Sequence, residues 1–213
     1  MRNFVITIMD NPQSVEVADR CIASAKRFGD IVQKWEAYTP KNNPEKIAEH
    51  FGIDKAGFVE VYSRFENCLS AFLSHHAIWQ WSMKYQQIVT VFEHDAVLVD
   101  KIPTKPFLGA MNIGKPSYGS YNTPQALGVG SLRSKKYFPG AHAYQVTPKG
   151  AEALCRYAKV YAKPTDVFLH LDVFPWLEEH NPWVAEARDT FTTIQKEEGC
   201  LAKHNYGEGY EIL

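Results

Sequence analysis

Apolar and polar positions along the chain follow two alternating rhythms. Residues 4–9 are a short apolar run rich in β-branched side chains, halted by Asp10, Asn11 and Pro12, which predicts a first strand. Past Ser14, read as a cap, Ala18, Cys21, Ile22, Ala25 and Phe28 recur at helical spacing. Lys26 and Arg27 then complement a helix end and Gly29 stops it. Residues 31–38 predict a second strand, and Pro44, after a capping Asn43, opens a short helix ending at Gly52. A long helix is predicted from about Arg64 to about Tyr85, with Phe65, Leu69, Phe72, Ala77 and Met83 near one face. Residues 107–113 and 143–146 read as further strands, and Pro148 opens a helix that turns Ala151, Leu154, Cys155 and Ala158 inward. Strands alternating with helices predict a single-domain α/β fold over residues 1–213, a Rossmann-type α/β/α sandwich on a mostly parallel central sheet.

One segment breaks the pattern. Residues 88–92 and 96–99 form the most hydrophobic stretch of the chain, yet Glu93, His94 and Asp95 stand between its halves. Burying two carboxylates and an imidazole is costly unless they are paired or hold a metal. Ending the strand at Phe92 puts the triplet at its carboxyl end, where open α/β sheets bind ligands. The plainer alternative is a solvated ion pair at a strand end.

Composition narrows the field without naming a function. Lys and Arg total 23 against 24 Asp and Glu, so no global charge favours or repels nucleic acid. No apolar run reaches the roughly 20 residues of a membrane span, and the first residues do not form a signal peptide, so the expected location is cytoplasmic. Cys21, Cys68, Cys155 and Cys200 are scattered and expected to be reduced and buried. Residues 114–139 read as a long loop over a site, and residues 196–213 as a polar tail that closes over a site or moves freely.

Four groups are candidates for chemistry. An acid, a spacer and an acid at a strand end offer hard oxygen ligands to Mg²⁺ or Mn²⁺, with His94 as a further ligand. On the long helix Asn67, Ser70 and Ser74 share one face, suited to hydrogen bonding with a nucleotide, while His75 or His76 taken singly reads best as a packing histidine. Asp166, after Pro164, is a general base or a helix cap, with equal support for each. Arg133, Lys135 and Lys136 form a solvated loop face, or else meet a phosphate. No Walker loop, dinucleotide glycine motif, zinc-ligand set or serine-hydrolase elbow is present, a profile that nucleotide-sugar transferases fit.

Several segments in order resemble glycosyltransferase family 25, which includes lipopolysaccharide sugar transferases and procollagen galactosyltransferases. They are residues 66–79 (ENCLSAFLSHHAIW), residues 88–98 (IVTVFEHDAVL), residues 140–151 (GAHAYQVTPKGA) and the Pro164-Thr165-Asp166 element. The resemblance implies a GT-A fold, a nucleoside-diphosphate sugar donor (most often a UDP-sugar), Mn²⁺ or Mg²⁺ as cofactor, and inversion at the anomeric carbon. It implies Asp95 as first metal ligand, with Glu93, His94 and a late His204 as further candidates. Glu93 more plausibly contacts the donor, Ser74 and His75 line the donor pocket with Ser70, and Asp166 deprotonates the acceptor. By analogy, Thr7, Ile8, Met9, Asp10, Asn11 and Arg20 lie near the nucleotide. His94 replaces the middle aspartate of the family triplet, and Asn67 stands where a small residue is usual. The expected acceptor is a lipopolysaccharide or other glycan. The alternatives are a hydroxymethylated base in phage DNA, and a degenerate fold that binds without catalysis.

Overall fold

The computed structural model describes residues 1–59, 64–117, 119–188 and 193–194. Over these residues the strands are β1 (Arg2–Thr7), β2 (Gln33–Glu36), β3 (Val89–Glu93), β4 (Ala96–Leu98), β5 (Ala110–Asn112), β6 (Gly128–Ser131), β7 (Ala143–Val146), β8 (Glu178–Asn181) and β9 (Ala185–Ala187). The helices are α1 (Pro12–Lys26), α2 (Pro44–Phe51), α3 (Phe65–Tyr85), α4 (Pro148–Tyr157) and α5 (Thr165–Phe168).

Seven strands form the central sheet in the order β2-β1-β3-β7-β5-β8-β6, while β4 and β9 pair antiparallel beside it. β1 is parallel to both β2 and β3, and β5 is parallel to β8. β7 runs antiparallel to β3 and β5, and β6 antiparallel to β8, so five of the seven strands point one way. Both faces are covered, as a mostly parallel sheet requires. On one face Val5, Phe92, Met111 and Ala143 pack with Ala18, Cys21 and Ala25 of α1. On the other, Phe4, Val91 and Tyr144 pack with Leu69, Phe72 and Trp79 of α3, behind which lie α4 and α5. The α/β sandwich expected from the alternating pattern is present.

The element bounds differ from the sequence pattern in instructive ways. β1 stops at Thr7, and the cap of α1 is Asn11, whose side chain accepts from the backbone N–H of Gln13 and Ser14. Ser14 is buried in the first turn and bonds elsewhere. Asn43 takes a left-handed conformation (φ 56°) and makes no side-chain cap. The strand expected over residues 107–113 shrinks to β5, and residues 114–139 contain β6, an edge strand. β8 (EEHN) has no apolar alternation, so only its ladders with β5 and β6 reveal it. Cys21, Cys68 and Cys155 are buried, as expected; Cys200 lies outside the described residues.

Candidate functional site

β1 and β3 lie side by side and parallel, with Ile6 opposite Glu93. The chain leaves β1 through α1 to reach β2 on one side, then returns past β1 through α3 to β3 on the other. Strand order therefore reverses between β1 and β3, and open α/β sheets bind ligands in the crevice outside the carboxyl ends at such a switch point. Residues 8–11 and the triplet Glu93, His94, Asp95 border that crevice.

The triplet does not act as one cluster, because successive side chains leave the strand end in different directions. Glu93 turns toward α3, where its Oε1 lies 3.2 Å from Nε2 of His75. His75 is buried, and its Nδ1 is 2.9 Å from the Tyr144 hydroxyl, which accepts from Nε1–H of Trp79 at 2.8 Å. A hydroxyl that already accepts the indole N–H has its own hydrogen for His75 Nδ1. The neutral ring then carries its proton on Nε2 and donates it to Glu93. Burial explains why the ring is neutral: it holds the His75 pKa down to about 3, against a smaller opposing influence from Asp166. Burial also pushes the Glu93 carboxyl up to about 8, although its side chain keeps 30 % exposure. Trp79, His75, Glu93 and Tyr144 thus form one hydrogen-bonded relay running from the core to the strand end.

His94 turns to the opposite side. Its Nδ1 lies 2.9 Å from Oγ of Ser14, and that hydroxyl accepts from the Ile8 N–H at 3.0 Å, so its hydrogen goes to the imidazole. This contact ties the end of β1, the first turn of α1 and the β3–β4 turn together. The backbone carbonyl of Asp95 accepts from Arg188 N–H. Its carboxylate lies near enough to α1 to add to the burial that raises the Cys21 thiol.

The other sequence candidates separate into those at the crevice and those drawn into the framework. Thr7 is buried, its hydroxyl donates to Val5 O and its carbonyl accepts from Ala37 N–H. Ile8 accepts from Asn11 N–H, Met9 is exposed, and Asp10 is paired with Lys41, which holds its carboxyl below the usual range. Ser74 donates to Ser70 O and accepts from Tyr38 N–H, so its hydroxyl anchors the exit from β2. Ser70 is buried beneath it. Arg20 sits on α1 six residues beyond Ser14, about 9 Å further along the axis at the usual rise and away from the crevice. Asp166 occupies the first turn of α5 but does not cap it: the N-cap position is Pro164, the Asp166 Oδ1 accepts from the adjacent Val167 N–H, and its charge is felt by His75. His204 lies outside the described residues. Ser14, Trp79 and Tyr144 also belong to this site, and no sequence signal marks them, because each occupies an ordinary helix-turn or packing position.

Among the described residues no three His, Cys, Asp or Glu side chains converge as a metal cage. Glu93 bonds His75 and His94 bonds Ser14, so the triplet does not present a common ligand set.

No family model and no curated protein matches the chain. A Drosophila β-1,4-galactosyltransferase 7 mutant, solved with manganese, UDP-Gal and xylobiose, is similar at 9 % identity and a TM-score of 0.44 over 88 % of this chain and 71 % of that one. A CTP:phosphocholine cytidylyltransferase from Streptococcus pneumoniae is similar at 12 % identity and a TM-score of 0.39, over 86 % of this chain and 91 % of that one. At these values the likeness assigns neither a family nor an activity, and family 25 stands as a resemblance of motifs. No helix of the described residues is long and apolar enough to cross a membrane.

Proposed function

We propose that the chain is a glycosyltransferase that moves a sugar from a nucleoside-diphosphate donor, most simply a UDP-sugar, to a hydroxyl of a glycan acceptor with inversion. The observation that carries this reading is the meeting of the β1–α1 loop and the acidic β3–β4 turn across the switch point. In this reading residues 8–11 and the first turn of α1 receive the nucleotide. Asp95 holds Mn²⁺ or Mg²⁺, which neutralises the departing diphosphate. Asp166 accepts the proton of the attacking hydroxyl. Glu93, kept in place by the Nε2–H of His75, orients the donor sugar by a hydrogen bond.

The test is a calorimetric titration of UDP into the protein with Mn²⁺, then with chelator. Binding in the presence of Mn²⁺ is expected to weaken at least tenfold with chelator and again in Asp95→Ala. Absence of UDP binding under both conditions would sink the proposal. A second reading follows from the opposite engagement of Glu93 and His94: a fold that binds a nucleotide without metal and without transfer. UDP binding indifferent to chelator and to Asp95→Ala would favour it.

A further inference from the structure

Outside the switch point, the segment that the sequence marks as a long loop builds a second concavity of about 440 Å³. Tyr121, Ser134, Lys135, Lys136, Tyr137 and His170 line it. That volume falls within the roughly 300–1,000 Å³ typical of small-molecule sites. We propose that this pocket binds an anionic sugar, one carrying a phosphate or carboxylate, and that it is the acceptor site of the transferase.

The pocket is built rather than incidental. Its walls are pinned by backbone pairing: Tyr137 bridges His170, Leu171 N–H donates to Lys136 O, and Asn122 N–H donates to Ser134 O. Below it, the buried carboxylate of Glu179 accepts the N–H groups of Arg133 and Ser134 at 2.6 and 2.9 Å. Glu179 therefore fixes the bend that brings Ser134 and the two lysines to one wall. Ser134 is 2 % exposed, and its hydroxyl has no hydrogen-bond partner among the described residues. A buried hydroxyl left without a partner is costly, and a ligand hydroxyl in the pocket would satisfy it.

The lining specifies the ligand class. Tyr137 and His170 stack nearly parallel, 6.2 Å apart at 10°, a rigid aromatic wall suited to the C–H face of a pyranose. Lys135 stands 5.4 Å from the centre of the Tyr137 ring, and with Lys136 it places two cations at the same wall. Two ammonium groups beside hydroxyl and amide donors match a ring bearing both an anion and hydroxyls. Asp172, 3.6 Å from His170 Nδ1, adds a negative charge at the rim, which disfavours a polyanion such as a nucleic acid strand and suits one localised charge.

Location supplies the acceptor role, which rests on the transferase reading. His170 lies two residues past the end of α5, and Asp166 is in the first turn of that helix. The wall residue His170 and the proposed base are thus four residues apart on one short segment, and a sugar in the pocket meets that segment at His170.

The experiment titrates glucose 6-phosphate, glucose, inorganic phosphate, UMP and a short single-stranded oligonucleotide separately into the protein, with UDP plus Mn²⁺ on the same preparations. Glucose 6-phosphate is expected to bind at least tenfold more tightly than glucose or inorganic phosphate. Lys136→Met and, independently, Ser134→Val are each expected to weaken it at least fivefold, with UDP binding and thermal midpoint retained. No binding of glucose 6-phosphate, equal binding of inorganic phosphate, tighter binding of UMP or the oligonucleotide, or indifference to both substitutions would each overturn the proposal. Loss of UDP binding in the unaltered protein would instead count against the donor site, so the two failures are distinguishable.

Discussion

Trp79→Ala is expected to lower the free energy of unfolding by about 4 kcal/mol, read from the midpoint and slope of urea denaturation. Trp79 is 0 % exposed and is the largest of the fully buried side chains. Its indole meets Phe72 edge to face at 5.6 Å and 86°, and lies nearly flat on Phe168 at 5.8 Å and 22°. It thus fills the junction of α3 with α5, and removal leaves a cavity that rigid aromatic neighbours cannot collapse into. The loss also reaches the site. Without the indole N–H, the Tyr144 hydroxyl no longer has its donor, and the tautomer of His75 is no longer set from that side. Trp79→Phe separates the two contributions: it restores most of the volume but not the hydrogen bond, and is expected to cost about 1–2 kcal/mol. An alanine variant within 1 kcal/mol of the parent protein would mean that the junction repacks.

Glu93→Gln is expected to remove the alkaline decline in stability of the parent protein. In the fold Glu93 holds its proton up to about pH 8, whereas the ordinary value is 4.5. Between those values the folded state binds more protons than the unfolded one, so stability falls as pH rises. Buried His75 and His76 work in the opposite sense on the acid side. Their folded values of about 3 and about 4 lie below 6.5, so the unfolded state binds the extra protons, and stability is lost as pH falls through that window. Between pH 4.5 and 6.5 two histidines raise stability against one Glu93 that lowers it, so a net rise of about one proton remains, and above 6.5 the Glu93 decline stands by itself. Because the carboxyl is partly exposed, the expected loss from pH 6.5 to 8 is about 1–2 kcal/mol, less than full burial would give. Glutamine keeps an oxygen to accept His75 Nε2–H and cannot ionise, so its stability should stay level over that interval. A decline of equal size in both proteins would trace it to another group.

These two predictions involve residues that the pattern of the chain treats very differently. Glu93 was conspicuous in the sequence, a charge set in an apolar run, and the structure leaves it at the carboxyl end of β3 beside β1. Trp79 and Tyr144 are core residues by burial; their second role, ordering His75, depends on the bonds that α3 side chains make to the Tyr144 hydroxyl of β7. Ser74 shows the reverse case. Its face on a helix suggested a nucleotide contact, but its hydroxyl accepts from Tyr38 N–H at the β2 exit and donates to Ser70 O on its own helix.

What the sequence determined by itself is local and periodic. Strand and helix alternation, the glycine and proline stops, the burial of apolar faces and the end of β3 at the acidic triplet all follow from short-range preferences that act wherever the chain is placed. Tertiary structure decided whatever depends on partners distant along the chain. It sent Glu93 to His75 and His94 to Ser14, across 18 and 80 residues. It found a strand in the polar residues 178–181, and folded residues 120–137 against His170 to make a pocket. Side-chain direction at a turn, strand pairing at a sheet edge and the walls of a cavity are set by which surfaces meet, and no periodicity records that.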